Sequence, residues 1–409
     1  MMPVTAKNNV MRIRTQRRRR KVGYRRIPRN HRPRMPSMHH WIADPAALSA
    51  RIAHWQRIDA IALDTEFIRE RTWWPQLALV QLAVPGEDAP LLLDMTVAGM
   101  AAALQRLLAD ESILKVVHSA SEDIQALVHA CGVAPAPLFD SQIAAAITGI
   151  GSGIGYQKLV TTLLGIELDK GQTRSDWLQR PLSPAQLDYA AADVEHLLAV
   201  HAILQARLQA CGRDGWLRED CDRLLASAGD TAPDAWPHLA VRGAAFLDAH
   251  AQARLCRVLR WREVQARASD RPKSWILDND LAMTLARRPP ADRHAFHALL
   301  DATPKSPRRS RGELWEVISA PLAASDRDIP LAIPADGIDK RHLRELQDAV
   351  AAVAQSLGVD AGLLASRRTL EAVLLDGISS PALQGWRRTQ LESVLTPLLH
   401  HRAEEAKTR

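Results

Sequence analysis

Aromatic residues are scarce in this 409-residue chain. Phe, Trp and Tyr make up 4% of it, with three tyrosines and four phenylalanines against eleven tryptophans. A large core must therefore be assembled mostly from Ala, Leu, Val and Ile. The four cysteines, Cys131, Cys211, Cys221 and Cys256, form no C-x-x-C pair, which excludes a zinc ribbon and a dithiol redox motif. No run reaches the roughly 18 apolar residues that a membrane span needs. No positively charged start leads into an apolar signal core. These absences point to a reduced, soluble, cytoplasmic protein. Acidic residues are missing altogether from residues 1–37, which hold 13 of the 53 Lys and Arg. Without that segment the net charge of +7 becomes −6, so the basic balance belongs to a tail and the folded part is mildly acidic.

The tail carries Arg17-Arg18-Arg19-Arg20-Lys21 and is interrupted by Pro28, Pro33 and Pro36. Its few apolar residues cannot offset the entropy of ordering, so it is expected to be disordered. Three readings stand: an arm that binds nucleic acid or ribosomes through phosphates, an Arg-rich transit peptide, and a start-site artefact with the true start at Met35 or Met38. Beyond it the composition is ordinary for a globular protein, 47% hydrophobic and 24% charged, and the length favours two or three domains.

Short apolar runs at 58–63, 76–84, 91–93 and 113–117 predict strands, and 97–109 predicts a helix; together they argue for an α/β domain. Helices are expected to dominate from about residue 121. The clearest start is Ser183-Pro184, with Gln186 completing a capping box. Leu187, Ala190, Ala191, Val194, Leu197 and Leu198 then recur at helical spacing, so one helix is expected to run to about Ala210, before Gly212. Residues 227–237 read as a linker. Two all-helical segments follow, near 236–318 and 326–402.

Three acidic signals stand out. Asp64 and Glu66 end an apolar strand two residues apart, so both side chains face the same way. Paired buried anions repel, and a divalent cation with hard oxygen ligands relieves the repulsion. Next, Val116-Val117-His118-Ser119 leads into a helix whose first turn holds Asp123, with Ser121 as its expected N-cap. Last, Tyr189 and Asp193 lie four apart on one helix and share a face. Each signal alone has a plainer explanation: a solvated face, compensation of the helix dipole, or a surface Tyr–Asp pair. The run Gly149-x-Gly151-x-Gly153-x-Gly155 lacks the spacing of a dinucleotide loop and is expected to form a flexible loop beside the site.

Taken together, four acids and a tyrosine in this order resemble the DEDD exonuclease superfamily in its Tyr-bearing branch. The flanks are similar to the ribonuclease D family: Leu63-Asp64-Thr65-Glu66-Phe67, Pro75-Gln76-Leu77, Gln81-Leu82, His118 with Ser121-Glu122-Asp123, and Asp140-Ser141-Gln142. Leu168-Asp169-Lys170, Arg174-Ser175-Asp176-Trp177, Arg180-Pro181-Leu182 and Tyr189-Ala190-Ala191-Ala192-Asp193-Val194 continue the likeness. The resemblance implies a ribonuclease H-like mixed sheet flanked by helices over 38–226. One or two helical HRDC-type domains (the helicase and RNase D C-terminal module) would follow, over 236–318 and 326–402. It implies a 3′–5′ exoribonuclease that releases 5′-mononucleotides with two Mg²⁺ or Mn²⁺ ions and acts on RNA with a free 3′ end, tRNA precursors in particular. Asp64 would bridge the ions, Glu66 and Asp193 would hold the ion that activates water, and Asp123 would support the second. Tyr189 would orient the attacking water, because a phenol titrating near 10 is a poor base. Asp140, Arg174, Asp176 and Trp177 match family positions and read as structural first. Arg254, Arg257, Arg260, Arg262 and Arg267 suit contacts to a phosphate backbone or a solvated helix face. A DNA-preferring exonuclease and a non-catalytic RNA-binding module are the alternatives.

Overall fold

The computed structural model describes residues 38–55, 58–168, 175–229, 232–304, 306–334 and 338–408. The basic segment 1–37 and Arg174 lie outside the described residues, so the readings of the tail and of that arginine go no further here.

The described chain opens with β1 (His40–Ile42), α1 (Pro45–His54), β2 (Ala60–Ile68), β3 (Gln76–Ala83) and β4 (Leu91–Asp94). It continues through α2 (Met100–Ala109), β5 (Leu114–Val117), α3 (Ser121–Cys131), β6 (Leu138–Asp140) and α4 (Ser141–Ile147). Helices α5 (Tyr156–Leu164), α6 (Pro184–Glu195), α7 (Leu197–Cys211) and α8 (Asp214–Gly229) complete this part. The strands form one mixed sheet in the order β1-β4-β3-β2-β5-β6. β2 is antiparallel to β3 and parallel to β5. As a central strand it reads Ile61-Ala62-Leu63, fully buried, which explains its apolar run.

Several boundaries differ from expectation. β2 extends to Ile68 because 64–68 continue to pair with β3, and the polar residues there hide the strand in the hydrophobic pattern. β6 went unforeseen, being only Leu138-Phe139-Asp140. The long helix expected after Ser183 is two helices, since His196 leaves the ladder at ψ 0° and starts α7. The first of them covers β2, β3 and β4, while α7 lies on β2 and β5. α8 runs to Gly229, so the linker begins later than residue 227. Ala120, not Ser121, caps α3.

Two short 3-10 turns, Pro237–Ala240 and Ala244–Phe246, precede α9 (Ala249–Ala268), α10 (Lys273–Ile276), α11 (Asn279–Arg287), α12 (Arg293–Ala302), α13 (Arg311–Ser319) and α14 (Ala324–Arg327). These elements close around their own core of Leu255, Val258, Leu259, Leu285, Phe296 and Leu314. The remaining helices are α15 (Lys340–Leu357), α16 (Ala361–Leu364), α17 (Arg367–Asp376) and α18 (Gly385–Thr408). Their buried Leu343, Leu346, Val350, Leu391 and Leu395 belong to the same apolar cluster as the sheet. Specific contacts fasten them: Trp386 stacks on Trp216 with ring centroids 4.2 Å apart, and Arg387 grips Asp220 at 2.6 and 2.9 Å. Gly385 sits at φ 58°, a left-handed conformation that favours glycine, with the Glu219 carboxylate in the space a Cβ would take.

The middle module docks through Asp270, whose carboxylate accepts from the backbone N–H of Trp73 and Trp74, both at 2.9 Å. The arginines of α9 each donate to a group close by in the chain's fold, and Arg267 also lies over the rings of Trp73 and Trp74. Arg254 donates to Ala286 O, Arg257 to Ala320 O, Arg260 to Ala235 O and Arg262 to Leu277 O. Arg267 pairs with Glu263. α9 is the helix the other elements wrap, and its long side chains cap their carbonyl ends. No helix among the described residues is long and apolar enough to cross a membrane, and all four cysteines are free.

One ion pair ties the chain before α6 to the sheet. Arg180 donates to both oxygens of Asp94 (2.9 and 2.6 Å), to Ala78 O and to Trp177 O. The Asp94 side chain is 8% exposed, and removing its partner strands a buried charge. Arg180→Ala is expected to lower unfolding free energy by about 3 kcal/mol, read from urea titrations. A loss below about 1 kcal/mol would show the pair to be an ordinary surface contact.

Candidate active site

The candidate site begins where β2 leaves the apolar layer. Alternation along the strand sends Asp64 and Glu66 to one face and Thr65 to the other. A bulge follows at once, between Glu66 and Phe67. α6 crosses that face, started by the capping box in which Ser183 Oγ accepts from Gln186 N–H and Gln186 Oε1 accepts from Ser183 N–H. Ala190, Ala191 and Ala192 are buried, and their small side chains let the helix lie close to the sheet. As a result Asp193 meets the strand: ligand oxygens of Asp64, Glu66 and Asp193 all lie within 4.8 Å of one another. Tyr189 stands one turn earlier on the same helix, near enough for its hydroxyl to oppose the rise of the Asp193 pKa. Trp177, 3% exposed, lies with its ring centroid 6.1 Å from that of Tyr189, so its role here is packing.

Asp123 reaches the site from α3 but does not join the cluster of three. Its carboxylate accepts from the Thr65 hydroxyl, a residue that sequence reasoning passed over although it stands between the two acids. The start of α3 is fixed by Asp140. That buried carboxylate accepts from the N–H groups of Ser119 (3.1 Å), Ala120 (3.0 Å), Gln142 (2.8 Å) and Ile143 (3.3 Å). It thus caps α4 and clamps the β5–α3 turn, where Ser119 takes φ 63°. A strand-end Asp before a helix is an N-cap signal; the second half of its work could not be read from sequence. Asp176 accepts from Leu178 N–H, a local turn.

His118 and Ser119 form no catalytic pair. Ser141 Oγ donates to Val117 O, so its lone pair accepts from His118 Nδ1–H at 2.8 Å. Tyr156 stands close enough to Asp64 and Asp193 for their charges, after burial, to raise its hydroxyl pKa. No sequence signal marked it. The glycine run that leads to it is tied down: Ser152 N–H donates to Asp360 Oδ2 at 2.9 Å. Gly149, at φ 76°, faces Gly358 O so closely that a Cβ would come within 2.3 Å. A cleft of about 620 Å³ between α4, α8 and the C-terminal helices includes none of the five residues.

Among the described residues, none of the four carboxylates makes an ion pair. Burial is the largest cause of their altered acidity. It pushes Asp64 well above the usual carboxylate range, with the charges of Asp123, Asp193 and Glu66 adding to it. Glu66 is raised to about 9 by burial and by Asp193 and Asp123. Burial raises Asp193 to about 7 against the Tyr189 hydrogen bond, and Asp123 to about 6 against the Thr65 hydroxyl. Tyr189 is itself raised by burial and by Asp193, so it keeps its proton. An all-oxygen donor set that is half-buried, mutually repelling and without a side-chain counter-charge fits hard divalent cations.

The fold and this match define a protein of the 3′–5′ exonuclease class: the model of the family described as 3′-5′ exonuclease matches residues 39–209, the part that holds the four carboxylates and Tyr189. Ribonuclease D of Xanthomonas oryzae pv. oryzae is 51% identical over 362 residues, covering 88% of this chain and 99% of that one. Ribonuclease D of Pseudomonas paraeruginosa is 34% identical, covering 87% and 96%. The crystal structure titled "Escherichia coli RNase D, an exoribonuclease involved in structured RNA processing" superposes with a TM-score of 0.78 at 28% identity, over 89% of this chain and 99% of that one. The chain belongs to the ribonuclease D family, and its activity is that of a 3′–5′ exoribonuclease, a hydrolase of phosphodiester bonds.

Raised carboxyl pKa values have a stability consequence of definite sign. Near neutral pH the folded state holds protons that the unfolded chain has lost, since unfolded carboxyls titrate near 4. Stability from these groups is therefore full below about pH 4 and is lost as pH rises through 6, 7 and 9. Metal-free protein is expected to melt at progressively lower temperature from pH 6 to 9. Added Mg²⁺ should restore more at pH 9 than at pH 6, and Asp64→Asn should flatten the slope. A metal-free melting temperature constant across that range, in scanning calorimetry, contradicts the electrostatic account.

Proposed function

We propose that Asp64, Glu66, Asp123 and Asp193 hold two divalent cations, Mg²⁺ or Mn²⁺, and that Tyr189 orients the attacking water at the 3′-terminal phosphodiester. The observation that carries this reading is the convergence of Asp64, Glu66 and Asp193 within 4.8 Å, with Tyr189 one turn before Asp193 on α6. When bound, two such ions about 3.5–4 Å apart stabilise the entering and departing oxygens of an in-line displacement and lower the pKa of bound water. The protein's own residues do the rest. Asp64 would help hold both ions, Glu66 and Asp193 would hold the one that activates water, and Asp123, bonded to the Thr65 hydroxyl, would support the other. Tyr189 keeps its proton and aligns the water through its hydroxyl, an orientational contribution.

The proposed substrates are structured RNAs with an extended 3′ end, tRNA precursors foremost, shortened one 5′-mononucleotide at a time. Support comes from the E. coli relative, an exoribonuclease involved in structured RNA processing. The proposed division of the chain assigns 38–226 to the exonuclease domain and 236–318 and 326–402 to HRDC-type helical modules. With a net acidic body, attraction for RNA rests on the bound cations and local basic side chains rather than on overall charge.

Asp64→Asn and Asp193→Asn are expected to reduce Mg²⁺-dependent trimming of a 3′-labelled, 3′-extended tRNA to background. Tyr189→Phe should lower kcat about a hundredfold with metal affinity unchanged. Trimming by Asp64→Asn at the wild-type rate overturns the site assignment. In a competition between RNA and DNA oligomers of one sequence, RNA is expected to be consumed first, through a contact to the ribose 2′-OH. Preferential loss of the DNA overturns the substrate class.

A further inference from the structure

Gln81 is a buried polar residue that the mechanism does not use. It lies on β3, is 0% exposed, and neither its Oε1 nor its Nε2 has a hydrogen-bond partner among the described residues. Its place in the sheet is informative. On the antiparallel β2–β3 pair Gln81 stands directly opposite Asp64. Residues directly opposite in such a pair share a face, with Cβ atoms about 4.5–5.5 Å apart. On its other side Gln81 faces Leu92 of β4, which offers no side-chain acceptor. Asp94, two residues further along β4 and opposite Leu79, is already held by Arg180 and Thr96. Glu66 lies on the diagonal, opposite Leu79. The nearest uncommitted acceptor across the strands is therefore the Asp64 carboxylate.

An unbonded amide in this position is a liability. Leu79 and Leu92 beside it and Ala190 of α6 above the same face are apolar and fully buried. A leucine or methionine of similar volume would fill the space without a desolvated donor and acceptor. Buried polar groups left without partners recur where function demands them.

We infer that Gln81 is a positioning residue for Asp64: its side-chain N–H donates to the Asp64 carboxylate and fixes that carboxylate's orientation when the site holds divalent cations. The inference rests on the proposed metal site. A carboxylate that serves two ions must present its two oxygens at fixed angles, and each oxygen keeps a further lone pair. A donor on the neighbouring strand sets that orientation without competing for the ions, as outer hydrogen bonds do at metal sites generally. The amide is neutral, so it adds no charge to a crowded anionic cluster, and strand pairing fixes its distance from Asp64.

The test uses the full chain and the metal alone. Mn²⁺ and Mg²⁺ are titrated calorimetrically into wild type, Gln81→Met, Gln81→Leu and Asp64→Ala, and metal-free melting temperatures are measured in parallel. Gln81→Met is expected to weaken metal binding at least tenfold while its metal-free melting temperature equals or exceeds that of wild type. That pairing of a firmer apoprotein with a weaker site is not produced by a merely structural amide. Wild-type metal affinity in Gln81→Met overturns the inference while leaving the metal site intact. A lower metal-free melting temperature in both Gln81 variants, or failure of both to fold, overturns it by making the amide structural. If wild type binds metal no better than Asp64→Ala, the metal site itself falls, and this inference with it.

Discussion

The arrangement of this molecule depends on one electrostatic constraint: four carboxylates share a small, largely buried space with no side-chain cation among the described residues to balance them. The carboxylates are half-buried, so water screens them less than it would on an open surface. The surrounding structure answers with neutral donors. Thr65 supplies a hydroxyl to Asp123, Tyr189 supplies one to Asp193, and Asp140 takes backbone N–H groups rather than a side-chain cation. Such partners hold geometry while leaving the negative field unspent. The field is then available to cations that arrive with the substrate or from solution.

Much of the site was legible from sequence because its signals are local. Asp64 and Glu66 sit two apart on a strand, and Tyr189 and Asp193 four apart on a capped helix; each spacing fixes a shared face without knowledge of the fold. The boundaries of β2 and β6 were not legible. One strand continues through charged residues, and the other is three residues long with no alternation to detect. The break at His196 was also hidden, since the apolar spacing carries through it from Val194 to Leu197. What joins the signals is non-local. That Asp123 meets Thr65, that Asp140 clamps the turn before α3, and that Tyr156 approaches Asp193 all follow from which strands pair and which helix crosses them.

The arginines of α9 teach the converse lesson. A sequence rich in Arg on one helix suggests a phosphate-binding face, yet each side chain already donates to a nearby carbonyl or carboxylate. Guanidinium groups serve as caps for neighbouring helix ends as readily as they serve as ligands for RNA. Periodicity reveals that a face is basic; only the packing reveals whether the charges are already used.

The hydrophobic cores do not follow the linear order of the chain. Residues 244–318 close a core of their own, whereas Leu343, Leu346, Leu391 and Leu395 complete the one begun by the sheet. The middle module is thus an insertion within a single apolar body, not the second bead on a string. During synthesis this order matters. The inserted module can fold as soon as its last helix has left the ribosome, while α8 must wait, its apolar side open, for helices made at the far end of the message. Nascent chains fold as units emerge, and here the unit that carries the chemistry is among the first to be translated and the last to be closed.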